Sequence, residues 1–169
     1  MSENLKKIGI PIAAIASALL LMAPMLAAAQ SAHFVRGPTI DKSISGTTAT
    51  ITTSGKVAGL GSDPTQFFLT TSGVTAETEC DNPGQGANPP GQDATFGPTQ
   101  GQTTTIQPRN GQITFNDAAP LSITVTAEQA GCPDHQTPSI TSAIFSDVVL
   151  HLVQNGEEVL TFNFGDVDP

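Results

Sequence analysis

Beyond residue 29, apolar side chains recur at every second position and almost nowhere at helical spacing. Strict alternation over short runs predicts strands with one face buried. Residues 47–53 (TTATITT) place Ala49 and Ile51 on one face of a Thr-rich strand. Residues 66–72 (QFFLTTS) follow a Gly-Ser-Asp-Pro turn. There Phe67 and Phe68 must point to opposite faces, which leaves Phe68 as an exposed apolar contact or as a residue under a loop. In 73–80 (GVTAETEC), Val74, Ala76, Thr78 and Cys80 alternate with Thr75, Glu77 and Glu79, so the first set faces the core. Residues 121–127 (LSITVTA) repeat the pattern with Leu121, Ile123, Val125 and Ala127. A further strand region over 140–152 is expected in two pieces.

Turn residues separate these runs. The density of Pro and Gly in 81–92 (DNPGQGANPPGQ) predicts a long loop, and 131–135 (GCPDH) a shorter one. Residues 102–107 and 111–115 bracket Arg109-Asn110-Gly111, which reads as a hairpin. Asn155-Gly156 is a strong turn signal for the last hairpin. A two-residue turn there would split the apolar set across both faces. A three-residue loop, 154–156, would set Leu150 opposite Leu160 and Val148 opposite Phe162. Register follows the buried face, so the three-residue loop is expected, with His151 on the other face near Thr161 and Asn163.

About eight short strands at this spacing predict an all-β fold. The expectation is a single antiparallel two-sheet sandwich of immunoglobulin-like kind over residues 30–169. Residues 1–29 read as a signal peptide. Lys6 and Lys7 precede an apolar stretch from 8 to 26, and Ala27-Ala28-Ala29 offers small residues for cleavage. An uncleaved N-terminal anchor is one alternative, since the apolar run nearly spans a bilayer. A type IV pilin-like leader cut after Gly9 is another, although Ile8 stands where such leaders carry a charge. Export places the two thiols of the chain, Cys80 and Cys132, where oxidation is favoured, so a disulfide between them is expected. It would tie the end of a central strand to the loop after 121–127. In the chain-entropy view, closing a loop of this length stabilises by roughly 4 kcal/mol. The two Cys-flanked loops are then the expected seat of function.

Several of these segments share one order. Ala32-His33-Phe34 opens the domain, and Ala58-Gly59-Leu60-Gly61 follows the first strands. Cys80-Asp81-Asn82-Pro83-Gly84 starts the long loop, and Cys132-Pro133 precedes the last strands. The chain resembles a group of small uncharacterised secreted bacterial and archaeal proteins with an AHF start, an AGLG turn, a C-x-N-P-G-G loop and a later C-P. It departs from the group at Gln85, where a second Gly is common. The resemblance implies secretion, a β-sandwich and a Cys80–Cys132 pair, and it brings no activity.

Charge narrows the partners. The whole chain carries a formal −9. Without the leader, four cations (Arg36, Lys42, Lys56, Arg109) face fourteen carboxylates, or −10. Phosphate backbones and anionic membrane surfaces would be repelled, so neither nucleic acid nor, after leader removal, a membrane is an expected partner. The chain has no Trp and no Tyr, which disfavours stacking on sugar rings.

Candidate chemistry is sparse. No G-x-S-x-G elbow occurs, and His33, His135 and His151 show no metal-ligand spacing. No catalytic residue and no cofactor are assigned. Asp81, Asn82 and Asp93 flank the Pro/Gly loop as weak Ca²⁺ candidates, because hard oxygen ligands on a loop suffice for that ion; turn preference alone also accounts for them. The function expected is that of a secreted or cell-surface, non-enzymatic structural or interaction protein with an unknown protein or surface partner, monomeric or self-assembling. Two alternatives stand beside it. One is an extracellular small-ligand or Ca²⁺-binding module. The other is a pilus-like fibre subunit that assembles by strand addition through residues 30–38.

Overall fold

The computed structural model describes residues 31–82 and 88–168. The expected leader lies outside the described residues. All regular structure in the described residues is β: β1 (His33–Ser45), β2 (Thr48–Ala58), β3 (Thr65–Thr71), β4 (Gly73–Asp81), β5 (Ala94–Phe96), β6 (Thr99–Gln100), β7 (Thr104–Ile106), β8 (Gln112–Thr124), β9 (Thr137–Gln154) and β10 (Glu157–Val167).

Two antiparallel sheets form. The first has the order β1-β2-β8. The second is organised around β9. β3 pairs its C-terminal half from Thr65↔Gln154 to Thr70↔Val149, and β4 its N-terminal half from Gly73↔Ser146 to Asp81↔Thr137. The register does not step between β3 and β4, so the two are one ribbon along one side of β9. β10 occupies the other side of β9. The short strands β5, β6 and β7 line the outer side of the ribbon. The chain therefore places β1 and β2 in the first sheet and β3 to β7 in the second, returns to the first with β8 and ends in the second with β9 and β10. This is the Greek-key order of an immunoglobulin-like sandwich, with the fourth segment on the sheet of the last two strands.

The inward residues are those the alternation selects. Ala49, Ile51, Val57, Leu69, Val74, Ala76, Leu121 and Leu150 are fully buried. Phe67 of one sheet meets Phe115 of the other with ring centroids 4.9 Å apart. Buried threonines are each bonded, as burial of a hydroxyl requires. Thr53 donates to Thr39 O, Thr71 to Ser146 O and Thr78 to Gln92 O, and Thr65 accepts from Gln154 Nε2.

Several local expectations change. Residues 137–154 form one strand, not two. It bends at Asp147, which has φ 48°. The bend is fastened by Ser72 Oγ donating to Asp147 Oδ2 at 2.9 Å and by the Asp147 amide donating to Asp166 Oδ1 at 3.0 Å. The last hairpin uses the two-residue turn, with Gln154 opposite Glu157 and with Asn155 and Gly156 at φ 55° and 80°. A bulge at Val159 then shifts the register so that Leu160 opposes Leu152 and Phe162 opposes Leu150. The apolar face does dictate register, but the bulge delivers it and not the loop length. The Asn110-Gly111 turn also forms, yet its arms pair for only one step, Arg109↔Gln112. Beyond it β7 joins β3 and β8 joins β2, because this turn carries the chain between sheets. Finally, β8 ends at Thr124, and Ala127 is exposed. Residues 126–131 fold into a turn instead, with Thr126 N–H donating to Gln129 Oε1 at 3.0 Å.

The Phe67–Phe115 contact joins the two sheets, so truncating one ring opens a cavity at their centre. Phe115→Ala is expected to lose about 3–5 kcal/mol of folding stability, read from the midpoint of a denaturant titration at unchanged slope.

Candidate functional site

Three regions carry polar or charged groups in defined geometry: the disulfide end, the outer face of the β9 sheet, and the outer face of the β1-β2-β8 sheet.

At the disulfide end, Cys80 and Cys132 are bonded with Cα atoms 5.5 Å apart and a sequence separation of 52. The pairing expected from the sequence is present. The described part of the long loop is not slack. Cys80 N–H donates to Pro89 O, Gly91 N–H to Thr78 O and Gln92 N–H to Ala130 O. These bonds lay residues 89–92 along the edge of β4 and against the 126–131 turn. Residues 83–87 lie outside the described set. Asp81 accepts from Asn88 Nδ2 at 2.6 Å. Asp93 immediately precedes Ala94, whose partner is Ala76. The register thus sets Asp93 beside Glu77, about 13 Å along β4 from Asp81 at roughly 3.3 Å per residue. The structure does not gather Asp81, Asn82 and Asp93 around one point. Among the described residues, no three His, Cys, Asp or Glu side chains are grouped as a metal site.

The outer face of the β9 sheet holds a cluster that sequence reasoning missed. His151 Nδ1 lies 2.6 Å from Glu158 Oε2, and Nε2 lies 3.0 Å from Thr70 Oγ1. A carboxylate only accepts, so Nδ1 donates to Glu158, while Nε2 and the Thr70 hydroxyl share the second bond. Phe68 stacks on the imidazole with centroids 4.9 Å apart and planes 12° apart. This explains why Phe68 faces outward: its cross-strand partner is His151. The order hydroxyl, imidazole, carboxylate is that of acyl-transfer triads. Acyl transfer also needs amide donors aimed at the developing oxyanion. Around Thr70 the backbone is engaged on both sides, with Val149 and with Gln100. The trio joins β3, β9 and β10 across the strands. The two-residue turn would have revealed it, because pairing Gln154 with Glu157 puts Glu158 opposite Val153, on the same face as His151.

The outer face of the β1-β2-β8 sheet is hydroxyl-rich. Thr48 and Thr124 hydroxyls are 3.1 Å apart, and those of Thr50 and Ser122 are 2.7 Å apart. Each pair is also a register pair. Toward the far end of β2 the face becomes basic. Arg36 stands opposite Lys56, and Lys56 opposite Thr114. A groove of about 550 Å³ is lined by Val35, Arg36, Thr39, Ser54, Lys56 and Asn116, among others. A second, of about 360 Å³, is lined by Lys56, Gln107, Arg109 and Gln112. Gly55 matters to the floor of the first groove: a Cβ there would lie 2.8 Å from Phe115 Cζ and 3.2 Å from Pro38 Cα. The fourth cation of the domain is used elsewhere. Lys42 Nζ donates to Ala143 O at 3.2 Å. Desolvation lowers its pKa and the Asp168 carboxylate opposes that shift.

The segment expected to donate a strand to a neighbour is committed within its own chain. His33 pairs with Ala58 and Phe34 with Val57. Phe34 also packs edge-on against Phe162 with centroids 5.5 Å apart.

No family model matches the chain, and no curated protein matches it. Among solved structures, Bacteroides uniformis β-glucuronidase 2, covalently bound to cyclophellitol-6-carboxylate aziridine, is similar at a TM-score of 0.32 and 14% identity, over 79% of this chain and 14% of that one. A Bacteroides fragilis protein described as a β-galactosidase gives 0.31 and 16%, over 76% and 16%. A calcium-binding mutant of the B. uniformis enzyme gives 0.28 and 16%, over 79% and 14%. The chain thus matches only about one-seventh of the length of these proteins. Similarity at this level carries no inference about activity. The disulfide fits an oxidising compartment, and among the described residues no helix is long and apolar enough to cross a membrane.

Two outcomes follow. Replacing both cysteines (Cys80→Ala with Cys132→Ala) is expected to lower stability by about 4 kcal/mol, measured by equilibrium unfolding of the oxidised protein and the variant. His151→Ala removes the stacked ring and the bond to Glu158 together and is expected to cost about 1–2 kcal/mol, whereas Glu158→Gln costs under about 1 kcal/mol. Thermal melts of the three proteins check this.

Proposed function

We propose that the chain is an exported, non-enzymatic β-sandwich module that acts outside the cytoplasm by binding a surface or soluble partner. One observation carries this reading: a disulfide-closed sandwich presents unpaired cations on one open sheet face. The bond between Cys80 and Cys132 supports an oxidising compartment. The basic leader of residues 1–29 supports export. The open face supports a binding role, because exposed like charges on neighbouring strands destabilise a sheet and are not needed to fold it. Acidic composition keeps such a module soluble.

The test is expression of the full chain in a host with an active secretory pathway. The expected result is protein outside the cytoplasm, with a mature terminus at Gln30 by mass spectrometry and no thiol that alkylates before reduction. Cytosolic protein that retains the leader and two free thiols would overturn the proposal.

A further inference from the structure

We propose that the track formed by Arg36, Lys56 and Arg109 is a binding site for a carboxylated polysaccharide, an inference that rests on the extracellular binding role above. Among the described residues there are four Lys or Arg side chains. Three of them line two adjoining grooves, one on the β1-β2-β8 face and one that runs over the β8 edge to Ile106 and Gln107. The fourth, Lys42, donates to the Ala143 carbonyl and is not available there. In a chain of formal charge −9, this concentration of cations on one face makes it the place where an anion can approach.

The cations are also uncompensated. Among the described residues no Lys or Arg forms a salt bridge; the one base–carboxylate contact, His151–Glu158, lies on the other sheet. Arg36 and Lys56 are direct cross-strand partners, an arrangement of like charges that weakens a strand pair. An incoming carboxylate between them would relieve that repulsion. Arg offers a planar fork for bidentate contact, and Lys a mobile point charge. Lys56 and Thr114 belong to both grooves, so the grooves form one track with Arg36 on one side of Lys56 and Arg109 on the other. A ligand with carboxylates at intervals along its length would engage both sides.

The remaining lining selects among polyanions. Thr39, Ser54, Asn116, Gln107 and Gln112 supply hydroxyls and amides, which suit the hydroxyls of a sugar chain. No aromatic side chain lines either groove, so the ligand is held by charge and hydrogen bonds and not by ring stacking. A neutral sugar would leave the cations unmatched.

The test titrates the mature, disulfide-bonded protein with galacturonate oligomers by calorimetry. Controls are the methyl-esterified oligomers, neutral dextran and poly-glutamate. Expected is binding to the free-acid oligomers that weakens as salt rises from about 0.01 to about 0.15 M, where screening shortens from roughly 30 to roughly 8 Å. Lys56→Glu and Arg36→Glu should each weaken it about tenfold or more, while Lys42→Gln leaves it unchanged. The retained disulfide and circular dichroism spectrum of each variant show that it is folded. No binding, binding indifferent to Lys56→Glu, or equal binding of the methyl esters would overturn the site. Tighter binding of poly-glutamate would overturn the polysaccharide assignment in favour of an acidic protein. Failure here with correct export leaves the broader reading standing. Binding by a protein that proves cytosolic would sink the broader reading and leave the site.

Discussion

The pairing of β9 with the β3–β4 ribbon is the constraint on which the rest of the molecule depends. It runs in one register from Thr65↔Gln154 to Glu77↔Ser142 and slips only once, before Thr78. Every buried residue of that sheet takes its face from this alignment, since a slip of one position would exchange inside for outside. It places Phe67 inward to meet Phe115 of the other sheet and leaves Phe68 outward on His151. It also brings Cys80 to the mouth of β9 beside Pro138, where the loop that carries Cys132 enters. The bend at Asp147 lets so long a strand follow the twist of the sheet without losing its partners.

The two outer faces show how polar surface can be organised without contributing to the core. On the β1-β2-β8 face, hydroxyls pair across strands and the exposed β-branched residues favour extended backbone. On the β9 face, one imidazole joins three strands through a carboxylate, a hydroxyl and a ring. Neither arrangement resembles a cleft built around reacting atoms. What sets the first face apart is electrostatic: cations that elsewhere would neutralise carboxylates stand beside one another instead.

The disulfide end answers a different need. A stretch rich in Pro and Gly supplies few side chains to bury, so its order must come from the backbone. Bonds from Cys80, Gly91 and Gln92 meet that need, and the covalent bridge at Cys132 holds the 126–131 turn close enough to take part. Asp81 is drawn into this network through Asn88.

Much of the fold was legible along the chain because alternation with period two records which face is buried. The inward sets of 47–53 and 73–80, the outward Phe68 and the Cys80–Cys132 pair all follow from pattern and compartment. Other features depended on contacts between segments distant in sequence. The bulge at Val159 exists because Leu160 and Phe162 must meet Leu152 and Leu150 after a turn whose own geometry would have misaligned them. The arms of the Asn110-Gly111 turn separate because each finds a better partner in a different sheet. The Thr70–His151–Glu158 trio and the Arg36–Lys56–Arg109 track join residues from three segments each, and no local pattern encodes such meetings. Within the strands 47–53 and 73–80 sequence alone settled which residues lie inside and which lie outside; tertiary structure decided where the strands end, as at Thr124 before the exposed Ala127, and which outside residues became neighbours, because neighbours across strands are set by register and topology and not by spacing along the chain.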